Sequence, residues 1–179
     1  MSTPHNPDRY GETWSQEKID EYLYELEKLR KHIILSGGWA WHFMSPPGHT
    51  EYKHIHDHKD ADIFVLPENV WIVIDTLQKQ EFKKVKTRYD RLPSKEEFRR
   101  YEKTVSGKER PFRITIDFFV NTVPFIEVFG WKVVEPKHLL SLYSNIHSSD
   151  NCFAVQAASK LIEQEISPVL RDELIQIGR

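Results

Sequence analysis

The sequence feature that most constrains the fold is a nine-residue run of β-branched and aromatic residues, FRITIDFFV, at residues 112–120. Such a composition predicts a central strand of a β-sheet. Asp117 places a single charge within the apolar part of this run, ITIDFF, and a carboxylate is costly to bury in a central strand without a partner. The sequence leaves two kinds of partner open: a metal ion shared with other carboxylates, or an arginine such as Arg88 or Arg113.

Two more carboxylates begin another predicted strand, DADIFVL, at residues 60–66. Because alternate residues of a strand share a face, we expect Asp60 and Asp62 to project together while Ala61 and Ile63 point into the core. Two adjacent carboxylates repel each other unless a cation joins them. Mg²⁺ suits such a pair because it binds a few carboxylates and fills its other positions with phosphate oxygens and water. The pair therefore indicates either a magnesium site for phosphoryl transfer or a solvated turn.

A glycine turn lies between a short strand predicted at residues 33–35 and a helix predicted over WAWHFM, residues 39–44. The turn is Ser36-Gly37-Gly38, and free backbone N–H groups at such a turn bind phosphate, while glycine allows close approach. The alternative is a helix entry turn that binds no ligand. Trp39 and Trp41 in the helix are expected to pack in the core.

Strands and helices do not alternate strictly along the chain, which predicts an α+β fold with a mixed β-sheet flanked by helices. With 179 residues, 39% of them hydrophobic, the chain is predicted to form one domain over residues 14–179, after a flexible arm at residues 1–13. The other predicted elements are a helix capped by Ser15 and carrying apolar residues from Ile19 to Leu29, a helix from Pro67 to about Gln80, a strand at 82–90, a short helix and turn at 92–110, an edge strand at 131–136, and helices at 136–144 and 151–165.

The formal charge of −2 gives the chain no overall basic field for holding long nucleic acid. A local basic set is present, and we expect it either to neutralise a triphosphate or an RNA end, or to form a solvated helix face; it comprises Arg88, Arg99, Arg100 and Lys103. The single cysteine, Cys152, excludes an internal disulfide, and the longest apolar runs are too short to cross a bilayer. A cytoplasmic protein is therefore expected.

Three histidines at alternate positions offer a different metal site, since HIHDH contains His54, His56 and His58. Zinc hydrolases of the metallo-β-lactamase type use a similar motif, but the spacing here is one residue too short. Only His138 and His147 lie downstream to complete a ligand set. The histidines are therefore better interpreted as a polar loop that faces solvent or contacts substrate, and a zinc hydrolase is the less favoured alternative.

The segment GGWA, followed about twenty residues later by HKDADIFV and then by Asp117, resembles the DNA polymerase β-type nucleotidyltransferase superfamily. Within it, the motifs are most similar to the branch of lincosamide and aminoglycoside nucleotidyltransferases. The resemblance covers about residues 15–165 and implies a nucleotidyltransferase-like fold. It also implies transfer of a nucleoside monophosphate from a nucleoside triphosphate, such as ATP, to a hydroxyl on a small molecule, an RNA end or a protein.

The resemblance also implies roles for individual residues. Asp60 and Asp62 would hold Mg²⁺ or Mn²⁺, and Asp117 would complete the metal site and help to deprotonate the acceptor. The residues expected to contact the nucleotide are Ser36, Gly37, Gly38, His58 and Arg88. An alternative of another class is a catalytically silent protein that keeps the fold to bind a nucleotide or a partner, for instance in a toxin and antitoxin pair.

Overall fold

The computed structural model describes residues 16–44, 60–91 and 97–144. The chain divides into two compact units: unit 1 comprises Met1–Thr13, Ser36–Asp57 and Pro124–Arg179, and unit 2 comprises Trp14–Leu35 and His58–Val123. The predicted N-terminal arm, the Ser15 cap, the histidine cluster with His147, Cys152 and the helix at 151–165 lie outside the described residues.

The described part of unit 2 holds two α-helices and five strands. In chain order they are α1 (Gln16–Glu27), β1 (Ile33–Leu35), β2 (Ala61–Val65), α3 (Val70–Lys79), β3 (Lys83–Val85), β4 (Phe98–Val105) and β5 (Phe112–Val120). Helix α2 (Gly37–Met44) belongs to unit 1. The strands pair in the order β3-β4-β5-β2-β1. Strands β2 and β5 are parallel and the other pairs are antiparallel, so the sheet is mixed, as predicted.

The two faces of this sheet differ in chemistry because side chains alternate along each strand. Ile63 and Phe118 are fully buried, and Tyr101 stacks on Phe118 with ring centroids 5.8 Å apart. Lys103, two residues after Tyr101, binds Glu25 of α1 at 2.7 Å, so this is the side that α1 covers. We call it the helix face, and the opposite side, which carries the alternate residues of β2, β4 and β5, the site face.

Helix α1 carries a buried carboxylate. Glu25 is 1% exposed and forms ion pairs with Lys103 at 2.7 Å and with Lys28 at 3.0 Å. Tyr22, also buried, accepts a hydrogen bond from the Thr115 backbone N–H at 3.1 Å. These two contacts fix α1 against β4 and β5 by polar bonds as well as by apolar packing.

Most predicted elements of unit 2 are confirmed. Strand β5 has the predicted bounds, strands β1 and β2 lie where expected, and the helix predicted from Pro67 is a 3₁₀ turn at Pro67–Asn69 followed by α3. Helix α3 ends at Lys79, and Glu81, just after the C-cap residue Gln80, has a left-handed φ of 67°. The Glu81 N–H donates to the Gln78 carbonyl and the Phe82 N–H to the Leu77 carbonyl, which is the Schellman arrangement.

The prediction of a short helix and turn at residues 92–110 was wrong, because β4 occupies Phe98–Val105. β4 pairs with β3 on one side and β5 on the other, and its charged residues find partners on neighbouring elements. Tertiary pairing overrides the helical propensity of charged residues here. The strand predicted at 82–90 is also shorter than expected: only Lys83–Val85 is extended, and Arg88–Arg91 forms a 3₁₀ turn.

The described part of unit 1 consists of α2 (Gly37–Met44), β6 (Phe125–Val128), β7 (Trp131–Val134) and α4 (Pro136–Ser144). Helices α2 and α4 and strand β7 are confirmed, whereas β6 was not predicted. β6 and β7 form a hairpin whose two turn residues, Phe129 and Gly130, have φ values of 52° and 72°. This is the backbone of a type I′ turn, which suits the twist of a hairpin. The Phe43 ring of α2 stacks on Trp131 of β7 at 5.3 Å.

Candidate functional site

Three charged residues lie side by side on the site face of unit 2. Asp62 of β2 is the register partner of Asp117 of β5, and Asp117 is in turn the partner of Arg100 of β4. We call Arg100, Asp117 and Asp62 the charged row. Register partners on neighbouring strands are close enough to interact, so the row brings two carboxylates and one guanidinium together in the middle of the sheet.

The partner of the buried Asp117 carboxylate is Arg100. Arg100 Nε donates to Asp117 Oδ1 at 2.7 Å, and Arg100 Nη2 donates to Oδ2 at 2.6 Å. The Asp117 side chain is only 7% exposed. The sequence suggested Arg88 or Arg113 as an arginine partner, and neither residue makes this contact. Arg88 donates a hydrogen bond to the Tyr89 hydroxyl, and Arg113 forms an ion pair with Glu102 at 3.3 Å.

Charge also shifts the titration of the arginine. The hydrogen bonds to Asp117 raise the pKa of the Arg100 guanidinium, against the opposing effect of partial burial. The charges of Asp117, Asp60 and Glu102 act in the same direction as the hydrogen bonds. Arg100 is therefore a permanent cation, and two-point binding of this kind fixes the orientation of the carboxylate as well as its charge.

Asp60 lies just before β2 and takes part in the same electrostatic group. Its Oδ2 is 3.8 Å from Arg100 Nη2, and both side chains are 34% exposed. Ala61 and Ile63 are fully buried while Asp62 is partly exposed, so the alternation predicted for this segment is confirmed. Arg100 thus lies within ion-pair distance of two of the three predicted carboxylates.

Carboxylate oxygens are the ligands that Mg²⁺ prefers, so the donor set of Asp60, Asp62 and Asp117 fits a hard cation in chemistry. Among the described residues, however, no group of three or more His, Cys, Asp or Glu side chains is placed to hold an ion. Both oxygens of Asp117 bind Arg100 instead. In this arrangement Asp60 and Asp62 are the candidate ligands, and the metal role of Asp117 stays a prediction.

The predicted phosphate turn belongs to unit 1. Ser36 is buried, and its carbonyl accepts a hydrogen bond from the Ala40 N–H at 3.2 Å. Gly37 has a φ of 56°, a left-handed conformation that side chains with a Cβ rarely adopt. Gly38 is the second residue of α2, and Trp39 and Trp41 are fully buried, which confirms their predicted packing role.

The predicted basic set is divided between the two faces. Arg100 belongs to the charged row, whereas Lys103 binds Glu25 on the helix face and the Arg99 guanidinium lies 5.3 Å from the Phe118 ring centroid. Arg88 is exposed in the 3₁₀ turn; its Nη2 donates to the Tyr89 hydroxyl at 2.8 Å. His58, the remaining predicted nucleotide contact, lies outside the described residues, as do His54 and His56 of the zinc alternative.

Sequence reasoning missed a row of aromatic rings next to the charged row. Phe98 and Phe119 are register partners with centroids 5.0 Å apart, and Phe119 and Phe64 are partners with centroids 5.6 Å apart. Tyr89 of the 3₁₀ turn meets Phe98 edge-on at 4.9 Å. We call these four rings the aromatic row. The sequence does place an aromatic residue two positions from each member of the charged row. Only the register of the strands shows that these aromatic residues are neighbours.

Comparison with known proteins bears on the fold. No family model matches the chain, and no curated protein matches it. The structure is similar to the crystal structure of JHP933 from Helicobacter pylori, with a TM-score of 0.56 and 8% identity, over 82% of this chain and 67% of that one. At this identity the likeness shows a shared fold.

Two further structures match less closely in shape. A GTP pyrophosphokinase family protein from Streptococcus pneumoniae is 17% identical with a TM-score of 0.36, over 96% of this chain and 94% of that chain. The Megavirus polyadenylate synthase is 12% identical with a TM-score of 0.36, over 98% of this chain and 35% of that one. Within the described residues, no helix is both long and apolar enough to cross a membrane. The structure and its likeness to JHP933 agree on an α+β fold built on a mixed sheet flanked by helices.

Proposed function

We propose that this chain is a metal-dependent nucleotidyltransferase, related to the lincosamide and aminoglycoside branch, that moves a nucleoside monophosphate from a nucleoside triphosphate to a hydroxyl acceptor. The observation that carries the proposal is the register of β2 and β5, which sets Asp62 beside Asp117 on the site face. Asp60 lies just before β2, two residues ahead of Asp62. Grouped carboxylates on a rigid sheet are what phosphoryl transfer requires for holding cations against phosphate oxygens.

In this proposal Asp60 and Asp62 hold Mg²⁺ or Mn²⁺, which would neutralise charge on the triphosphate and on the leaving pyrophosphate. Gly37 and Gly38 contribute backbone N–H groups to phosphate, as the sequence resemblance implies. Arg100 supplies a fixed positive charge between Asp60 and Asp117 that limits the repulsion among the carboxylates.

The reaction forms a bond between the acceptor oxygen and the α-phosphorus. The bond from the α-phosphorus to the bridging oxygen breaks, and its electron pair leaves with pyrophosphate. The acceptor's proton passes to a base, for which Asp117 is the candidate. Each carboxylate oxygen has a second lone-pair position, so Asp117 can receive this proton while it is bound to Arg100.

A second candidate function is favoured by the same ion pair. In a catalytically silent protein that binds a nucleotide or a protein partner, Asp117 needs no metal, and its two-point bond to Arg100 satisfies the buried charge completely. Catalysis distinguishes the candidates, since both allow nucleotide binding but only the first releases pyrophosphate.

The test combines calorimetry with a turnover assay. ATP, GTP, CTP and UTP are titrated with Mg²⁺ and with EDTA into the wild type, Asp60→Ala/Asp62→Ala and the control Asp75→Ala. Asp75 is an exposed α3 carboxylate that pairs with Lys79 and does not belong to the charged row, so this variant controls for the loss of a carboxylate elsewhere in the protein. We expect Mg²⁺-dependent binding in the wild type and the control and loss of that dependence in the double variant.

Turnover is followed as pyrophosphate release and label transfer from each triphosphate to a mixture of hydroxylated small molecules, RNA and protein. Pyrophosphate release by the wild type, together with none by Asp117→Asn, supports the transferase function. Triphosphate binding without release under any acceptor supports the silent protein. Absence of binding, or equal Mg²⁺-dependent binding by the double variant, would contradict both the metal assignment and the proposed function.

A further inference from the structure

We infer that the aromatic row and the 3₁₀ turn Arg88–Arg91 form a binding site for the end of a single-stranded RNA. A hydroxyl of that RNA would then be the acceptor of the transfer. This inference rests on the proposed transferase function and names its acceptor class. It stands on three observations: rings that continue from the charged row to the surface, a rigidly held turn, and exposed positive charge along that turn.

The aromatic row lies directly next to the charged row on the same face. Phe119, Phe64 and Phe98 are each two residues from Asp117, Asp62 and Arg100 along their strands. Two residues of a strand span about 6.6 Å, so the two rows are one side-chain layer apart. A base that stacks on this row therefore brings its own sugar hydroxyl close to the carboxylates.

The row becomes more exposed toward its outer end. Phe64 is 8% exposed, Phe98 and Phe119 are half-buried, and Tyr89 is 36% exposed. The Arg88 guanidinium lies 4.9 Å from the centroid of the Tyr89 ring and donates a hydrogen bond to its hydroxyl. Arginine paired with an exposed aromatic ring is a platform on which any base can stack.

The turn that carries Arg88 and Tyr89 is held by Asp90. Asp90 Oδ2 accepts hydrogen bonds from the Thr87 N–H at 2.6 Å and from the Thr87 hydroxyl at 3.1 Å, and Oδ1 accepts one from Lys84 at 2.7 Å. These bonds, that of Lys84 first, lower the pKa of Asp90 to about 2. The turn is thus fixed before a ligand arrives, which reduces the ordering cost of binding.

Exposed cations precede and follow Arg88 and Tyr89 along the chain. Because Lys84 is already paired with Asp90, the cations left to face a ligand are exposed side chains to which the described residues give no carboxylate partner: Lys83, Lys86, Arg88 and Arg91. They are spread along a strand and a turn, with the Tyr89 ring between Arg88 and Arg91. That spacing suits a chain of phosphates and bases better than the compact charge of one triphosphate.

The test measures RNA binding with EDTA and without triphosphate, so that it is independent of the transferase assay. A fluorescein-labelled single-stranded RNA of mixed sequence, about 12 nucleotides long, is titrated by anisotropy into the wild type, Tyr89→Ala, Tyr89→Phe and the control Trp71→Ala. Trp71 is an aromatic residue of α3 that is 77% exposed and belongs to neither row. Thermal melts confirm that each variant is folded.

We expect Tyr89→Ala to weaken binding by about 5- to 150-fold, the range for loss of one stacked base. Tyr89→Phe and Trp71→Ala should stay close to the wild type. The Arg88→Ala/Arg91→Ala variant should reduce the slope of log K against log salt by about 0.7 for each phosphate contact removed.

Other results overturn the inference. The inference fails if the wild type does not bind RNA, or if Tyr89→Ala and Trp71→Ala lose the same amount of RNA affinity. It also fails if inorganic polyphosphate or a mononucleotide displaces the RNA at the same concentration of phosphate groups. If Mg²⁺-dependent triphosphate binding persists in the calorimetric test, such results refute the RNA site alone. If RNA binds as expected but no triphosphate does, the proposed transferase function fails and the RNA site remains.

Discussion

Replacing Arg100 with methionine tests the central contact of the site. The substitution keeps most of the side-chain volume but removes both hydrogen bonds to Asp117, whose side chain is only 7% exposed. Removing one partner of a fully buried ion pair costs about 3–5 kcal/mol. Arg100 is 34% exposed, so water can enter where the guanidinium was, and we expect a loss of about 2–4 kcal/mol in the free energy of unfolding.

The assay is urea unfolding at neutral pH, compared with Arg100→Lys and with Arg100→Met/Asp117→Leu. Lysine keeps the charge but cannot bond to both oxygens, so its loss should be intermediate. The double variant removes the stranded carboxylate and should recover most of the stability lost by Arg100→Met. If Arg100→Met unfolds within about 0.5 kcal/mol of the wild type, or if the double variant is no more stable than the single one, the reasoning about Asp117 is refuted.

The same variants report on the cation site. If Asp60, Asp62 and Asp117 are a metal set that Arg100 partly occupies, Mg²⁺ should stabilise Arg100→Met more than it stabilises the wild type. At ten times the dissociation constant the gain is about 1.4 kcal/mol. The measurement is the shift of the urea midpoint between Mg²⁺ and EDTA, with Ca²⁺ as a second cation. An equal shift in Arg100→Met/Asp60→Ala/Asp62→Ala would show that the ion binds elsewhere.

Three further predictions concern backbone and burial. Gly38→Ala should raise the stability of α2 by up to about 1 kcal/mol through helix propensity but weaken triphosphate binding in calorimetry, whereas unchanged binding would remove Gly38 from the proposed site. Glu81→Gly should raise the free energy of unfolding by about 0.5–1 kcal/mol, because φ at this position is 67°, and Glu81→Ala should give no gain in the same urea titration. Burial lowers the pKa of His42 from 6.5 to about 4, so the unfolded chain protonates at this histidine at a higher pH than the folded chain does. The free energy of unfolding should therefore fall by roughly 3 kcal/mol as the pH drops from 6.5 to 4, and His42→Phe should remove that part of the pH dependence.

Elements defined by local pattern could be predicted from the sequence. Strand β5 is rich in β-branched and aromatic residues, and α3 begins after a proline-led turn and keeps apolar residues at helical spacing. The Asp60 segment was also predictable in its alternation, because Ala61 and Ile63 are apolar while the carboxylates flank them. In each case the information lies within ten residues of the element.

Strand β4 could not be predicted in this way. Its sequence, FRRYEKTV, holds four charges, and taken alone it favours a solvated helix over a strand. What makes it a strand is the pairing with β3 and β5 and two ion pairs with residues far away in the chain: Arg100 with Asp117 and Lys103 with Glu25. These partners are 17 and 78 residues distant, so no local window contains them.

The position of β4 decides how the site must be understood. As a helix, the segment would have offered its arginines to solvent; as a strand, it alternates, and sends Arg99 and Lys103 to one face and Arg100 to the other. The cation beside Asp117 is therefore set by the register of the sheet, and it cannot leave without breaking two hydrogen bonds. A transferase needs Asp117 to accept a proton or a metal while Arg100 remains nearby, whereas a silent binding protein needs only the ion pair. The response of Arg100→Met to Mg²⁺ tests whether these carboxylates form a cation site, because they should bind an ion better once the guanidinium beside them is gone. Pyrophosphate release then distinguishes the transferase from the silent protein.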